Sequence, residues 1–136
     1  MTAVPTASTA GGYDDIAERF FDAVGRGDLA AVTDLYAEDV EVWHNYDEVD
    51  QTREQSLRTL GWIHAKIGPL RYVDVRRTLL PDGFWQQHVA EIAGDGVTTR
   101  VPAALRVFCR AGKIVRIEEY LDPAPFTALV AARATA

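Results

Sequence analysis

Three ionisable side chains fall among apolar neighbours on stretches that read as strands: His44, His88 and Glu119. Side chains alternate between the two faces of a strand. From Ile114 to Asp122 one face is Val115, Ile117, Glu119 and Leu121, and the other is Ile114, Arg116, Glu118 and Tyr120. Glu118 can sit in water beside Arg116, whereas Glu119 points where a core should be. From Val40 to Tyr46, His44 shares a face with Val40, Val42 and Tyr46; from Phe84 to Ile92, His88 shares one with Phe84, Gln86, Ala90 and Ile92. Histidine titrates nearest neutral pH and suits proton abstraction and return. A carboxylate among aliphatics is costly unless paired, protonated or used, and its pKa rises there, so it can serve as an acid or ionise against an imidazolium. Together the three are equipment for moving protons on a small, largely apolar molecule. Each alone also fits a plainer reading, a hydrogen-bonded core residue.

These groups need elements to hold them. Asp15 with Glu18 forms a capping-box pattern, followed by Ile16, Phe20, Ala23 and Val24 at helical spacing. Asp28 is a natural N-cap for a second helix with Leu29, Val32, Leu35 and Tyr36 on its inner face. Thr52 and Gln55 begin a third helix, whose apolar positions are Leu57, Leu60, Ile63 and Ile67 and which Gly68-Pro69 stops. The strand from Val40 to Tyr46 precedes that helix. Strands over 70–80, 84–92, 97–110 and 113–121 follow, with turns at Pro81-Asp82-Gly83, Gly94-Asp95-Gly96 and Ala111-Gly112. Turns this short make the last four strands an antiparallel meander. The expected fold is α+β: three N-terminal helices packed on a strongly curved, mainly antiparallel sheet, a cone with an internal pocket. Residues 1–12 read as a disordered tail, 13–130 as one domain and 131–136 as a C-terminal tail. Around the three ionisable groups, Asn45 and Tyr46 are candidates to anchor substrate polar groups at the pocket mouth, with Trp43, Trp62 and Phe108 as candidate walls.

Bulk properties narrow the function. The chain has 136 residues, 48% of them hydrophobic and 25% charged, as expected of one globular domain. A net charge of −6 argues against a nucleic-acid surface. No apolar run approaches the roughly 18 residues of a membrane span. Cys109 is the single cysteine, so an internal disulfide is excluded and a cytoplasmic setting is expected. One Cys and the scattered His44, His64 and His88 lack the ligand spacing of a structural zinc site. The acidic run Asp47-Glu48-Val49-Asp50 reads as a solvated loop.

Several segments resemble the NTF2-like superfamily, which includes SnoaL-like polyketide cyclases, ketosteroid isomerases and limonene epoxide hydrolases. They are Phe20-Phe21-Asp22-Ala23-Val24-Gly25-Arg26-Gly27-Asp28-Leu29, Leu35-Tyr36-Ala37-Glu38-Asp39-Val40, Gly112-Lys113-Ile114-Val115 and Glu119-Tyr120-Leu121-Asp122. The resemblance runs from about Ile16 to Asp122. It implies a cone-shaped α+β fold with a buried pocket and a homodimer paired through the sheet. It places His44 at the isomerases' general-base Asp and the epoxide hydrolases' water-binding Asn. Glu119 falls at the epoxide hydrolases' catalytic Asp, where SnoaL-like cyclases carry their acid/base Asp. Departures are equally informative. Phe20 and Ala104 replace the isomerases' two oxyanion donors, while His88, Ala90 and Val42 replace the hydrolases' Arg, Asp and Tyr.

The sequence therefore points to a cofactor-independent acid/base enzyme acting on a small apolar organic molecule by isomerisation, cyclisation, dehydration or epoxide opening. His44 is the expected base, Glu119 its partner or the acid, and His88 a donor to a developing oxyanion. The alternative is a non-catalytic small-molecule-binding or dimerisation module of the same fold.

Overall fold

The computed structural model describes residues 3–94 and 96–135. A long helix, α1 (Ala3–Arg26), is followed by α2 (Leu29–Leu35). Asp28 caps α2, its carboxylate accepting from the Ala31 amide at 3.1 Å. After β1 (Tyr36–His44) and the two-residue β2 (Asp50–Gln51) comes α3 (Arg53–Lys66). A full capping box starts α3: the Gln55 amide donates to Thr52 Oγ1, and the Thr52 amide donates to Gln55 Oε1. The chain then forms β3 (Arg71–Leu80), β4 (Gly83–Gly94), β5 (Val97–Arg110), β6 (Lys113–Leu121) and α4 (Ala124–Ala134). Among the described residues, no helix is long and apolar enough to cross a membrane.

The six strands form one mixed sheet in the order β2-β1-β6-β5-β4-β3. Among the described residues β1–β6 is the parallel pair, whereas β1–β2 and the β3–β4–β5–β6 meander are antiparallel. The tight β5–β6 turn holds Ala111 and Gly112 at φ +52° and +77°, the two positive values a two-residue hairpin turn of matching twist requires. Helices α1 and α2 press Ile16, Phe20, Val32 and Leu35 onto Val40, Phe84, Leu105, Val107, Ile114 and Ile117 of the sheet. Each such fully buried side chain contributes about 1.5–3 kcal/mol. A smaller cluster of Ile67, Ala90, Ile92 and Val101 lies beneath Phe126, Leu129 and Val130 of α4.

Several local expectations change. The Asp15/Glu18 pattern does not start a helix, because α1 is helical from Ala3 onward; Asp15 instead pairs with Arg19 one turn on. The segment read as an N-terminal tail is thus helix from Ala3, with residues 1–2 outside the described ones. The C-terminal tail drawn from 131 instead continues α4, an Ala-rich helix begun at Pro123, without a side-chain cap to announce it. Tyr36 leaves α2 and opens β1, with extended backbone pairing it opposite Ile114. Asp50 belongs to β2 and not to a free loop, because it pairs opposite Trp43. Ile114 is fully buried although simple alternation puts it on the outer face; a bulge between the Phe108–Arg116 and Cys109–Ile114 pairs shifts the ladder there.

Candidate active site

One row of the sheet carries the polar residues of the interior. Register places His44 (β1) beside Glu119 (β6), Glu119 beside Leu105 (β5), Leu105 beside Gln86 (β4), and Gln86 beside Arg77 (β3). His88 is two residues along β4, opposite Ala103. Pairs in register lie about 5 Å apart, so alternation and register together determine which side chains can touch.

His44 and Glu119 do touch, with Nε2 and Oε1 3.1 Å apart and side chains 13% and 23% exposed. The Tyr46 ring stacks on His44 at 5.1 Å, further limiting imidazole rotation. His88 is almost wholly buried, with the rings of Tyr72 and Phe21 edge-on to it at 4.7 and 5.2 Å. Its Nδ1 lies 2.9 Å from Gln86 Nε2, and Gln86 Oε1 accepts from Arg77 Nε at 2.8 Å. Burial lowers the pKa of His88; Glu119 pulls it back up and Arg77 pushes it further down.

His44, His88 and Glu119 all line one cavity of about 500 Å³ between the sheet, α1, α3 and α4. That volume falls within the range of small-molecule sites. The lining is largely apolar, from Phe20, Phe21, Leu60, Ile63, Val101 and Leu105 among others. Tyr36, Gln51, Ser56, Thr59 and Tyr72 add polar atoms. Tyr36 and Ser56 share a buried hydroxyl–hydroxyl hydrogen bond of 2.9 Å. Burial pushes the Tyr36 phenol up to about 12; the Ser56 bond opposes this and the Glu119 charge adds to it. Gln51 donates to Thr59 Oγ1 at 3.2 Å, and its Oε1 is buried with no hydrogen-bond partner among the described residues. Among those residues no group of three or more His, Cys, Asp or Glu could hold a metal ion.

The candidate binding residues divide. Tyr46 and Trp62 line the cavity yet remain 46% and 49% exposed, which puts them at its mouth. Trp43, Asn45 and Phe108 do not line it. Alternation turns Trp43 outward, where it meets Tyr120 edge-on at 5.3 Å. Asn45 is committed to the backbone: its Oδ1 accepts from the Leu121 amide at 2.9 Å as β1 ends. Phe108 lies under the Arg106 guanidinium, 4.0 Å from its carbon. Sequence reasoning passed over Tyr36, which it placed in a helix, and Ser56, whose spacing to Leu60, Ile63 and Ile67 puts a hydroxyl on an apolar helix face. It also passed over Gln86, a polar residue between Phe84 and His88 on the inner strand face.

The arrangement is a helix-covered sheet whose inner face carries a His–Glu pair in a largely apolar cavity. The chain belongs to the SnoaL-like domain family, whose model matches residues 17–117. Among solved structures it resembles IdmH of Streptomyces antibioticus, described as a candidate polyketide cyclase, with 19% identity over 87% of this chain and 97% of that one and a TM-score of 0.68. A second candidate polyketide cyclase, from Xanthomonas campestris, gives 19% identity over 89% and 98% of the two chains and a TM-score of 0.73. A hypothetical protein from Catenulispora acidiphila with a ketosteroid isomerase-like fold, solved in complex with trimethylamine, gives 19% identity over 85% and 92% and a TM-score of 0.71. No curated protein matches the sequence.

Proposed function

We propose that the protein is a cofactor-independent acid/base enzyme that moves protons on a small, largely apolar carbonyl compound to isomerise or cyclise it. The observation that carries this reading is the His44–Glu119 contact at the wall of the cavity. An ionised Glu119 accepts the Nε2–H of His44 and leaves Nδ1 with the basic lone pair. Glu119 then fixes the tautomer and balances the imidazolium that forms when a carbon acid gives up its proton. The same imidazolium returns the proton at the product carbon. An apolar wall keeps water from competing, and the shape of the cavity holds the reacting atoms together. Gln51 Oε1, a buried acceptor, favours a substrate that also carries a hydroxyl donor, because an unmet acceptor costs about 1–3 kcal/mol. The homodimer implied by the family resemblance belongs to this proposal, and sedimentation would measure it.

A non-catalytic carrier is the second reading, favoured by the predominantly apolar lining. Hydrogen–deuterium exchange at the α-carbon of a panel of hydroxylated bicyclic ketones, followed by NMR, separates the two. The wild type should accelerate exchange of at least one member. His44→Ala and Glu119→Gln should each lose about 10²–10⁴-fold of that rate while keeping the fold. Binding of panel members without exchange by the wild type would establish the carrier, and full activity in His44→Ala would overturn the role given to His44.

A further inference from the structure

We infer that Arg77 and Gln86 are positioning residues that lock His88 in its neutral Nε2–H tautomer, making it a fixed hydrogen-bond donor for a carbonyl or enolate oxygen in the cavity. The inference rests on the proposed function for its catalytic meaning and on donor–acceptor valence for its geometry. A guanidinium can only donate. The end of the Gln86 amide that meets Arg77 Nε at 2.8 Å is therefore oxygen. The other end is the NH2 group, which can only donate, and it lies 2.9 Å from His88 Nδ1. That nitrogen must supply a lone pair. A neutral imidazole with its lone pair on Nδ1 carries its proton on Nε2. An imidazolium would set Nδ1–H against the amide hydrogens, so the relay also opposes protonation.

The relay is built to hold. Gln86 is fully buried and His88 nearly so. The Arg77 side chain is 12% exposed and is held by Glu18 at 3.0 Å and by Asp14, both on α1. The guanidinium thus cannot swing away without breaking two ion pairs, and the amide cannot flip without facing its NH2 group to a donor. Other groups facing His88 are the ring edges of Tyr72 from β3 and Phe21 from α1 and the Glu119 charge from β6. Among the described residues the hydrogen-bond partner of Nδ1 is the Gln86 amide. A ring that can only donate at Nε2 selects an acceptor, and an oxygen that gains negative charge in the cavity is one.

The test begins with the tautomer, which requires no substrate. Long-range proton–nitrogen correlation spectra of uniformly labelled protein at mildly alkaline pH read each ring nitrogen, and His88→Gln assigns the signals among the three histidines. The wild type should show His88 as the Nε2–H form. Gln86→Glu, which puts an acceptor at Nδ1, should convert it to Nδ1–H or to the imidazolium and lower kcat about 10²-fold with little change in KM. Arg77→Met, milder for folding, should give a mixture of tautomers. Nδ1–H in the wild type, or Nε2–H unchanged in both variants, would overturn the relay. If the relay is intact and no substrate turns over, the acid/base function fails and the lock stands.

Discussion

At the scale of single residues, burial dictates what each polar group can be. His88 is buried, and burial holds its pKa below the ordinary value, which has a consequence for stability. Between the lowered value and the ordinary 6.5, the unfolded chain binds the proton and the folded chain does not. Stability then rises with pH across that window, is flat above it, and is flat again at its lower level below the folded value, where both states carry the proton. Urea unfolding from about pH 7.5 down to about 5 should show this acid loss, and His88→Gln should flatten that part of the slope; an equal slope in the variant would remove His88 as its source. Tyr36 makes a second case. Tyr36→Phe keeps the ring packing, removes the 2.9 Å bond and leaves the Ser56 hydroxyl unmatched in a buried place. The expected loss is about 1–3 kcal/mol in denaturant unfolding, and Tyr36→Phe with Ser56→Ala should recover part of it, because removing both partners leaves no orphan.

At the scale of elements, the hairpins fix which residues face one another, and Gly83 shows how tightly. It stands at φ +149° at the start of β4, and a Cβ there would overlap the carbonyl of Val107 on β5. Gly83→Ala should cost more than about 3 kcal/mol by strain and overlap together, and heat unfolding measures it. A near-neutral result would mean that the β4–β5 register can slide. Much of this framework was readable in the sequence. Thr52 and Gln55 announce α3, Asp28 announces α2, and turn residues bound the meander, since these signals are local. Period-two alternation put His44, His88 and Glu119 on inner faces for the same reason. What was not readable depends on distant pairing. Tyr36 turns inward because β1 begins opposite Ile114, Ile114 is buried because the ladder shifts at a bulge, and Asp50–Gln51 becomes a strand only by lying against β1. Gln86 gained its meaning from Arg77, which the hairpin brings alongside it. The lining role of α4 was hidden because an uncapped Ala-rich end carries no punctuation.

At the scale of the whole molecule, the cavity costs the fold stability. A void of about 500 Å³ with apolar walls forgoes the dispersion contacts that a filled core would make. Any ligand that fits those walls therefore binds the folded chain and has no comparable site on the unfolded one. At a free concentration one hundred times its Kd, such a ligand adds about 2.7 kcal/mol. For a chain of 136 residues this corresponds to a rise in Tm of roughly 10 °C. On the proposed function the carbonyl meets a donor at His88 and the hydroxyl meets the acceptor at Gln51, so bicyclic ketones bearing a hydroxyl should reach that shift at lower concentration than the parent hydrocarbons. Shape alone would make the two series equal. Ala103→Leu, which adds volume on the cavity wall opposite His88, should weaken both series together, whereas Gln51→Leu should weaken only the hydroxylated one. Thermal shift titrations of the wild type and both variants distinguish these outcomes. Equal affinity for ketone and hydrocarbon throughout would mean that the cavity recognises only apolar bulk, and the polar wall would then serve the fold alone.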